Sequence, residues 1–128
     1  MTLRVDLKSS IPVYRQIVDG LRILLVNREL HPGDPMPPVR RLALDLGVHF
    51  NTVAEAYRTL AEEGWLEIGR RSGARVVARA MPNRVDPQSG EIFQRRLQEL
   101  VAEQQSRGVT RGKIARDLRR IADTLEGT

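Results

Sequence analysis

Residues 39–68, VRRLALDLGVHFNTVAEAYRTLAEEGWLEI, decide how this chain folds. Val39, Leu42, Ala43 and Leu46 recur at spacings of three and four, so 39–46 reads as a short helix with one apolar face. Gly47 follows, where a helix C-cap wants the positive φ that glycine adopts without a Cβ penalty. His49 to Asn51 open a further helix that runs to about Glu63 and buries Val53, Ala56, Tyr57 and Leu60, with Gly64 as its stop. Trp65-Leu66-Glu67-Ile68 then alternates and reads as a strand.

Upstream, His31 to Pro38 (HPGDPMPP) holds four prolines and a glycine, so it is extended and stiff, with Met36 as an apolar anchor inside it. Before it, Val13, Ile17, Leu21, Leu24 and Leu25 draw one stripe on a helix that begins near Ile11, takes Pro12 in its first turn and ends before His31. Residues 1–10 read as a loose arm. Downstream, Gly69 to Gly73 is a turn and Ala74 to Ala78 a second strand, completing a hairpin. Met81 to Gly90 reads as a linker. Two helical patterns follow: Phe93, Leu97, Leu100 and Val101 form one stripe, and Ile114, Leu118, Ile121 and Leu125 the other. Gly108 separates them and Thr110 is suited to cap the second.

Two short helices joined through Leu46-Gly47-Val48-His49 have the form of a helix-turn-helix. Its second helix, about 10–12 Å across, matches a major groove about 12 Å wide. A hairpin directly after that helix is a wing. The expected fold is therefore α+β, mainly α: a winged helix-turn-helix domain over 1–80 and a two-helix dimerisation segment over 81–128.

Composition agrees without deciding. The 128 residues carry a net charge of +5 and 41% apolar residues. Nearly all the cations are arginine (the lysines are Lys8 and Lys113), so the charge points only moderately to a polyanion. Cysteine is absent, which excludes thiol catalysis, cysteine-ligated zinc and disulfides. The segment Leu21 to Val26 (LRILLV), apolar but for Arg22 and unmatched in length elsewhere, is too short to span a bilayer, and MTLRVDLKSS lacks a signal-peptide core. A cytoplasmic protein with no membrane partner is expected. Two distant histidines, His31 and His49, make no metal site, and no cofactor is expected.

Residues 11–79 resemble the DNA-binding domain of the GntR family. The resemblance is carried by Pro12-Val13-Tyr14-Arg15-Gln16-Ile17, Leu30-His31-Pro32-Gly33-Asp34, Met36-Pro37, Arg40, Leu42-Ala43, Leu46-Gly47-Val48 and Asn51-Thr52-Val53. Ala56-Tyr57, Leu60, Glu63-Gly64 and Gly73 continue it, and the short two-helix tail resembles the YtrA-like subfamily. The resemblance implies that Arg40 contacts DNA, that Asn51 and Thr52 begin the recognition helix (about 50–63), and that the wing (69–75) reaches the minor groove. The chain departs from the family pattern at Pro38, where serine is usual, at His49-Phe50, and at Ala74-Arg75.

Each candidate also has a plain structural alternative. Arg40 and Arg41 oppose the dipole at a helix N-terminus, which favours a phosphate role for Arg40, while Arg41 reads as a solvated charge. Asn51 either caps its helix or pairs with adenine through its amide; Thr52 suits phosphate better. Phe50 either packs back onto the first helix or lies against a thymine methyl, and His49 is a cap substitute or a phosphate donor. Arg58 either pairs with Glu55 at i, i+3 or reaches a phosphate. Arg70, Arg71, Arg75 and Arg79 crowd one hairpin with Ser72 and Gly73 at its tip, where mutual repulsion gives a DNA role the better account.

The stripes at Phe93, Leu97, Leu100, Val101, Ile114, Leu118, Ile121 and Leu125 exceed what two helices can bury alone, so a twofold homodimer is expected. The expected function is sequence-specific binding of a palindromic double-stranded DNA operator, with repression by promoter occupancy. A small-molecule effector is left open; the 48 residues after residue 80 offer no pocket of about 300 Å³, so a ligand would sit at the dimer interface. One rival is an enzyme, since MocR-type regulators fuse a similar domain to an aminotransferase-like one; no cofactor lysine region or catalytic constellation occurs here. The other rival is a protein-docking module, against which the basic wing and Arg40 argue.

Overall fold

In the computed structural model, which describes residues 2–79 and 84–127, Val13–Val26 forms helix α1 with Pro12 as its N-cap residue. Its buried residues are Ile17, Val18, Leu21, Leu24 and Leu25; the sequence periodicity marks out all of these but Val18, and Val13, which it includes, is only half-buried. Val39–Leu46 is α2, closed by Gly47 at φ 72° in the left-handed region, and Phe50–Glu62 is α3. Val53, Ala56, Tyr57 and Leu60 of α3 pack against the α1 stripe, and Ile17, Leu21, Val53 and Leu60 lose essentially all contact with solvent. Burying each such side chain is worth roughly 1.5–3 kcal/mol. The fold is mainly α with a small antiparallel sheet.

That sheet is the hairpin of β1 (Leu66–Gly69) and β2 (Gly73–Val76), in register Leu66↔Val76, Glu67↔Arg75, Ile68↔Ala74 and Gly69↔Gly73. Leu66, Ala74 and Val76 are buried, while Glu67 and Arg75 oppose each other outside with an ion pair of 3.8 Å. Both strands differ slightly from expectation: β1 is shifted by one residue and β2 stops at Val76. The proline-rich segment is extended, as expected, and it also pairs with β2. Met36 N–H donates to Ala74 O (2.8 Å), Val76 N–H to Asp34 O (2.8 Å) and Gly33 N–H to Val76 O (2.7 Å). Met36 thereby enters the core.

The arm expected to be loose is held. Leu3 and Val5 pack against the core, and the Leu3 side chain lies where a Cβ on Gly20 would stand. Gln16 fixes the arm from α1: its Oε1 accepts from Asp6 N–H at 2.8 Å, and its Nε2 donates to Asp6 O and Ile11 O at 2.9 Å each. A glycine notch and one amide side chain convert a polar-looking segment into part of the domain.

The chain divides into two units, Met1–Met81 and Pro82–Thr128. The start of the expected linker, Met81-Pro82-Asn83, lies outside the described residues. Its end is helical: α4 spans Ser89–Ser106, entered through a turn in which Asp86 O accepts from Ser89 N–H at 3.0 Å. After Gly108, at φ 91°, α5 spans Arg111–Glu126, and Thr110 Oγ1 caps it by accepting from Lys113 N–H at 3.2 Å. Neither helix buries a residue among those described, yet Asp86, Phe93, Leu97 and Leu100 help to line an open hollow of about 330 Å³, which corrects the expectation that this segment offers none of that size. Leu97, Val101, Ile114 and Leu118 are half-buried, whereas Phe93, Leu100, Ile121 and Leu125 are 65%, 56%, 60% and 73% exposed. No described helix is long and apolar enough to cross a membrane.

A polar clasp supplements the apolar contact of α1 with α3. Arg22 Nε and Nη2 donate to Glu63 Oε1 and Oε2 at 3.2 and 2.7 Å, and Arg22 Nη1 donates to Asp19 Oδ1 at 3.1 Å. The Arg22 hydrogen bonds hold the Glu63 carboxyl below its ordinary pKa, against the opposing effect of burial. A depressed folded-state pKa stabilises the protein above the ordinary glutamate value of ~4.3 and loses that effect as pH falls through the folded value. Arg22→Met should therefore lower Tm at neutral pH by about 2–5 °C, a modest effect for a clasp partly open to water. Thermal unfolding followed by circular dichroism should show the difference from the parent shrinking below about pH 4.

Candidate nucleic-acid interface

The start of α3 is built by three side chains. His49 is the N-cap residue, with φ −72° and ψ 141°, and its Nδ1 accepts from Asn51 N–H at 3.1 Å. Histidine thus performs the capping that the sequence left between His49 and Asn51. The Asn51 side chain is exposed and is not used for it. Thr52 is half-buried, its N–H donating to His49 O at 3.1 Å.

Phe50 stacks on the His49 ring at 4.6 Å between centroids and 25° between planes. On Phe50 lies the Arg40 guanidinium, 4.2 Å from the ring centroid. The sequence reading placed Phe50 against the first helix or a thymine; the structure shows it stacked with His49 and α2's Arg40 and partly packed on the core. The contact was missed because the two residues are ten apart and meet only after the turn at Gly47 brings the helix starts together. The available signal was an aromatic at the first position of an otherwise polar helix start, off the Val53, Ala56, Tyr57 and Leu60 face.

Arg40 is exposed and has no carboxylate partner among the described ion pairs, whereas Arg41 pairs with Asp45 at i, i+4 (3.6 Å). Farther along α3, Glu55 and Arg58 are both exposed and do not form the i, i+3 pair among the described residues. Tyr57 is buried, and its hydroxyl donates to Pro37 O at 2.7 Å, tying α3 to the proline segment. Burial raises the Tyr57 pKa well above its usual value. Between the proline segment, α3 and the hairpin runs a groove of about 320 Å³ whose lining includes Pro38, Val39, Ala54, Arg58, Ile68 and Gly73.

At the hairpin tip Arg70, Arg71 and Ser72 are exposed, and Gly73 turns at φ 75°. The tip is tight: a Cβ on Gly69 would collide with Ser72 Oγ. The four hairpin arginines do not act alike, which corrects their reading as one cluster. Arg75 is paired with Glu67 across the strands. Arg79 donates through Nε to Glu63 O (2.8 Å) and lies over the Trp65 ring at 4.6 Å, so it fastens the far end of the hairpin to α3. Arg70 and Arg71 alone stand at the tip. No group of three or more His, Cys, Asp or Glu that could hold a metal occurs among the described residues.

A three-helix core, a helix-turn-helix with its second helix exposed at the start, and a basic hairpin beside it define a winged-helix DNA-binding protein. Residues 13–76 match the model of the bacterial regulatory proteins of the gntR family. The chain belongs to the GntR family of transcription regulators; it is a DNA-binding transcription regulator. It is 30% identical to the HTH-type transcriptional repressor YtrA of Bacillus subtilis, over 98% of this chain and 95% of that one. It is 34% identical to the HTH-type transcriptional regulator Rv1152 of Mycobacterium tuberculosis, over 94% of each chain. Among solved structures it resembles YtrA from Sulfolobus acidocaldarius, a GntR-family transcription factor, with a TM-score of 0.55, 28% identity, and coverage of 97% of this chain and 99% of that one. These likenesses extend through the two-helix tail.

The cap can be tested without DNA. His49→Ala removes the acceptor for Asn51 N–H and should cost about 1 kcal/mol in urea unfolding, whereas His49→Asn, itself a good cap, should recover most of it.

Proposed function

We propose that the protein is a homodimeric repressor that binds a palindromic operator, reading it with α3 and the hairpin wing. The observation that carries the reading is the groove that joins the recognition helix to the wing, with Arg58 on one wall and Gly73 on the other. The middle of α3 and the base of a basic hairpin on either side of one groove suit a duplex, whose major groove admits the helix while its backbone passes the wing. In this reading residues 1–80 bind DNA and residues 81–128 form the dimer.

Asn51 is exposed on the leading turn of α3 and offers an amide for bidentate pairing with adenine. Arg40, His49, Thr52 and Arg58 contact phosphates, fixing the register, and Phe50 belongs to the same surface. Arg70, Arg71, Ser72 and Gly73 approach the minor groove, whose negative potential attracts arginine. The dimer rests on Phe93, Leu97, Leu100, Val101, Ile114, Leu118, Ile121 and Leu125, which leave more apolar surface in water than a two-helix hairpin covers. A twofold axis would set two recognition helices about 10–10.5 bp apart, or a multiple of that. An effector, where one acts, is assigned to the dimer interface.

Selection of bound sequences from random duplex DNA at two salt concentrations should enrich a palindrome, with affinity falling steeply as salt rises. Arg70→Glu with Arg71→Glu should weaken binding by well over tenfold while leaving thermal unfolding unchanged. Salt-sensitive binding with no enriched motif would reduce the protein to a nonspecific binder; absence of binding at both salts would favour a protein-docking role.

A further inference from the structure

The stack of Arg40, Phe50 and His49 has a function beyond closing the turn. We infer that Phe50 is a positioning residue: its ring holds the Arg40 guanidinium flat and ready for a DNA phosphate, so that DNA affinity depends on an aromatic at this position. The inference rests on the reading of Arg40 as a phosphate contact.

Arg40 stands at the second residue of α2, where the helix dipole disfavours a cation, and no described carboxylate pairs with it. A long exposed arginine in that position would ordinarily sample many rotamers and lose that freedom on binding. Here the guanidinium lies 4.2 Å from the Phe50 centroid, and Phe50 is itself backed by the His49 ring at 4.6 Å. His49 in turn is fixed by its hydrogen bond to Asn51 N–H. The ring face attracts the cation through its quadrupole and consumes none of the guanidinium N–H donors, which point outward from the edge of the plane. A carboxylate would hold Arg40 equally well but would occupy those donors and repel the phosphate. Stacking orders the arginine and leaves its hydrogen-bonding edge open.

The test is a double-mutant cycle on DNA binding with the full chain and one fixed duplex, taken from the selection described above or, failing a motif, a nonspecific duplex. Affinity is read across a salt series, and the folding of each variant is checked by thermal unfolding. Phe50→Leu, which keeps apolar bulk but removes the ring face, should weaken binding roughly two- to fivefold, as expected for a cation–π contact open to solvent. Phe50→Trp, which retains a face for the guanidinium, should bind like the parent, guarding against misfolding in the leucine variant. Arg40→Ala should weaken binding more and reduce the salt slope by about one. In the Arg40→Ala background, Phe50→Leu should cost nothing further.

If Phe50→Leu binds like the parent while Arg40→Ala is impaired, the positioning role is lost. Equal losses from Phe50→Leu with and without Arg40 would also overturn it, since Phe50 would then act on DNA or the fold by itself. If instead Arg40→Ala leaves affinity and salt slope untouched, the failure lies in the phosphate role of Arg40 on which the inference stands.

Discussion

The packing of α1 across α3 is the constraint on which the DNA-binding unit depends. Ile17 and Leu21 on one side and Val53 and Leu60 on the other are its most completely buried side chains. A three-turn helix such as α3 has little stability alone in water, so its shape and direction come from this contact. Once α3 is seated, its opposite face, with Asn51, Glu55 and Arg58, is the part left for solvent. Everything on the proposed DNA-facing surface, from the cap at His49 to the groove beside the wing, is placed relative to that seat.

Polar contacts refine what the apolar core establishes. The Arg22–Glu63 clasp and the Arg79 hydrogen bond to Glu63 O both act at the C-terminal end of α3, while Tyr57 ties its middle to Pro37 O. Among the described residues, the leading end of α3 carries no such polar tether to α1. It is closed instead by its own cap and by a stack of rings and a guanidinium. The helix is thus fastened where it meets the domain, and its first turn keeps polar atoms free for a partner. Such a division suits a reader of nucleic acid, which needs a rigid body and an unsatisfied edge.

The two units solve the problem of burial differently. The first encloses a core that takes in even the arm and the proline-rich segment. The second is a helical hairpin whose apolar side chains remain in contact with water, with no buried residue among those described. Its helices still form in the expected places because glycine, the threonine cap and the helical spacing specify them locally. In the proposed dimer, a second chain covers this surplus apolar surface.

Sequence by itself determined the order of elements, the α2 boundaries, most of the α1 stripe (Val18 excepted) and the α3 core, the left-handed turn at Gly47 and the cap at Thr110. Each follows from periodicity or from the conformational freedom of a single residue, and both are local properties. Tertiary structure decided which polar side chains meet. Gln16 reaching Asp6, Met36 N–H reaching Ala74 O, Glu63 gathering Arg22 and the Arg79 contact, and Arg40 lying on Phe50 all join positions that local spacing does not relate. It also separated four hairpin arginines that composition made equivalent, two of them held by Glu67, Trp65 and Glu63 and two left at the tip. The reason is physical: apolar burial leaves a periodic trace along the chain, whereas the partner of an arginine is whatever acceptor or ring the fold brings within reach.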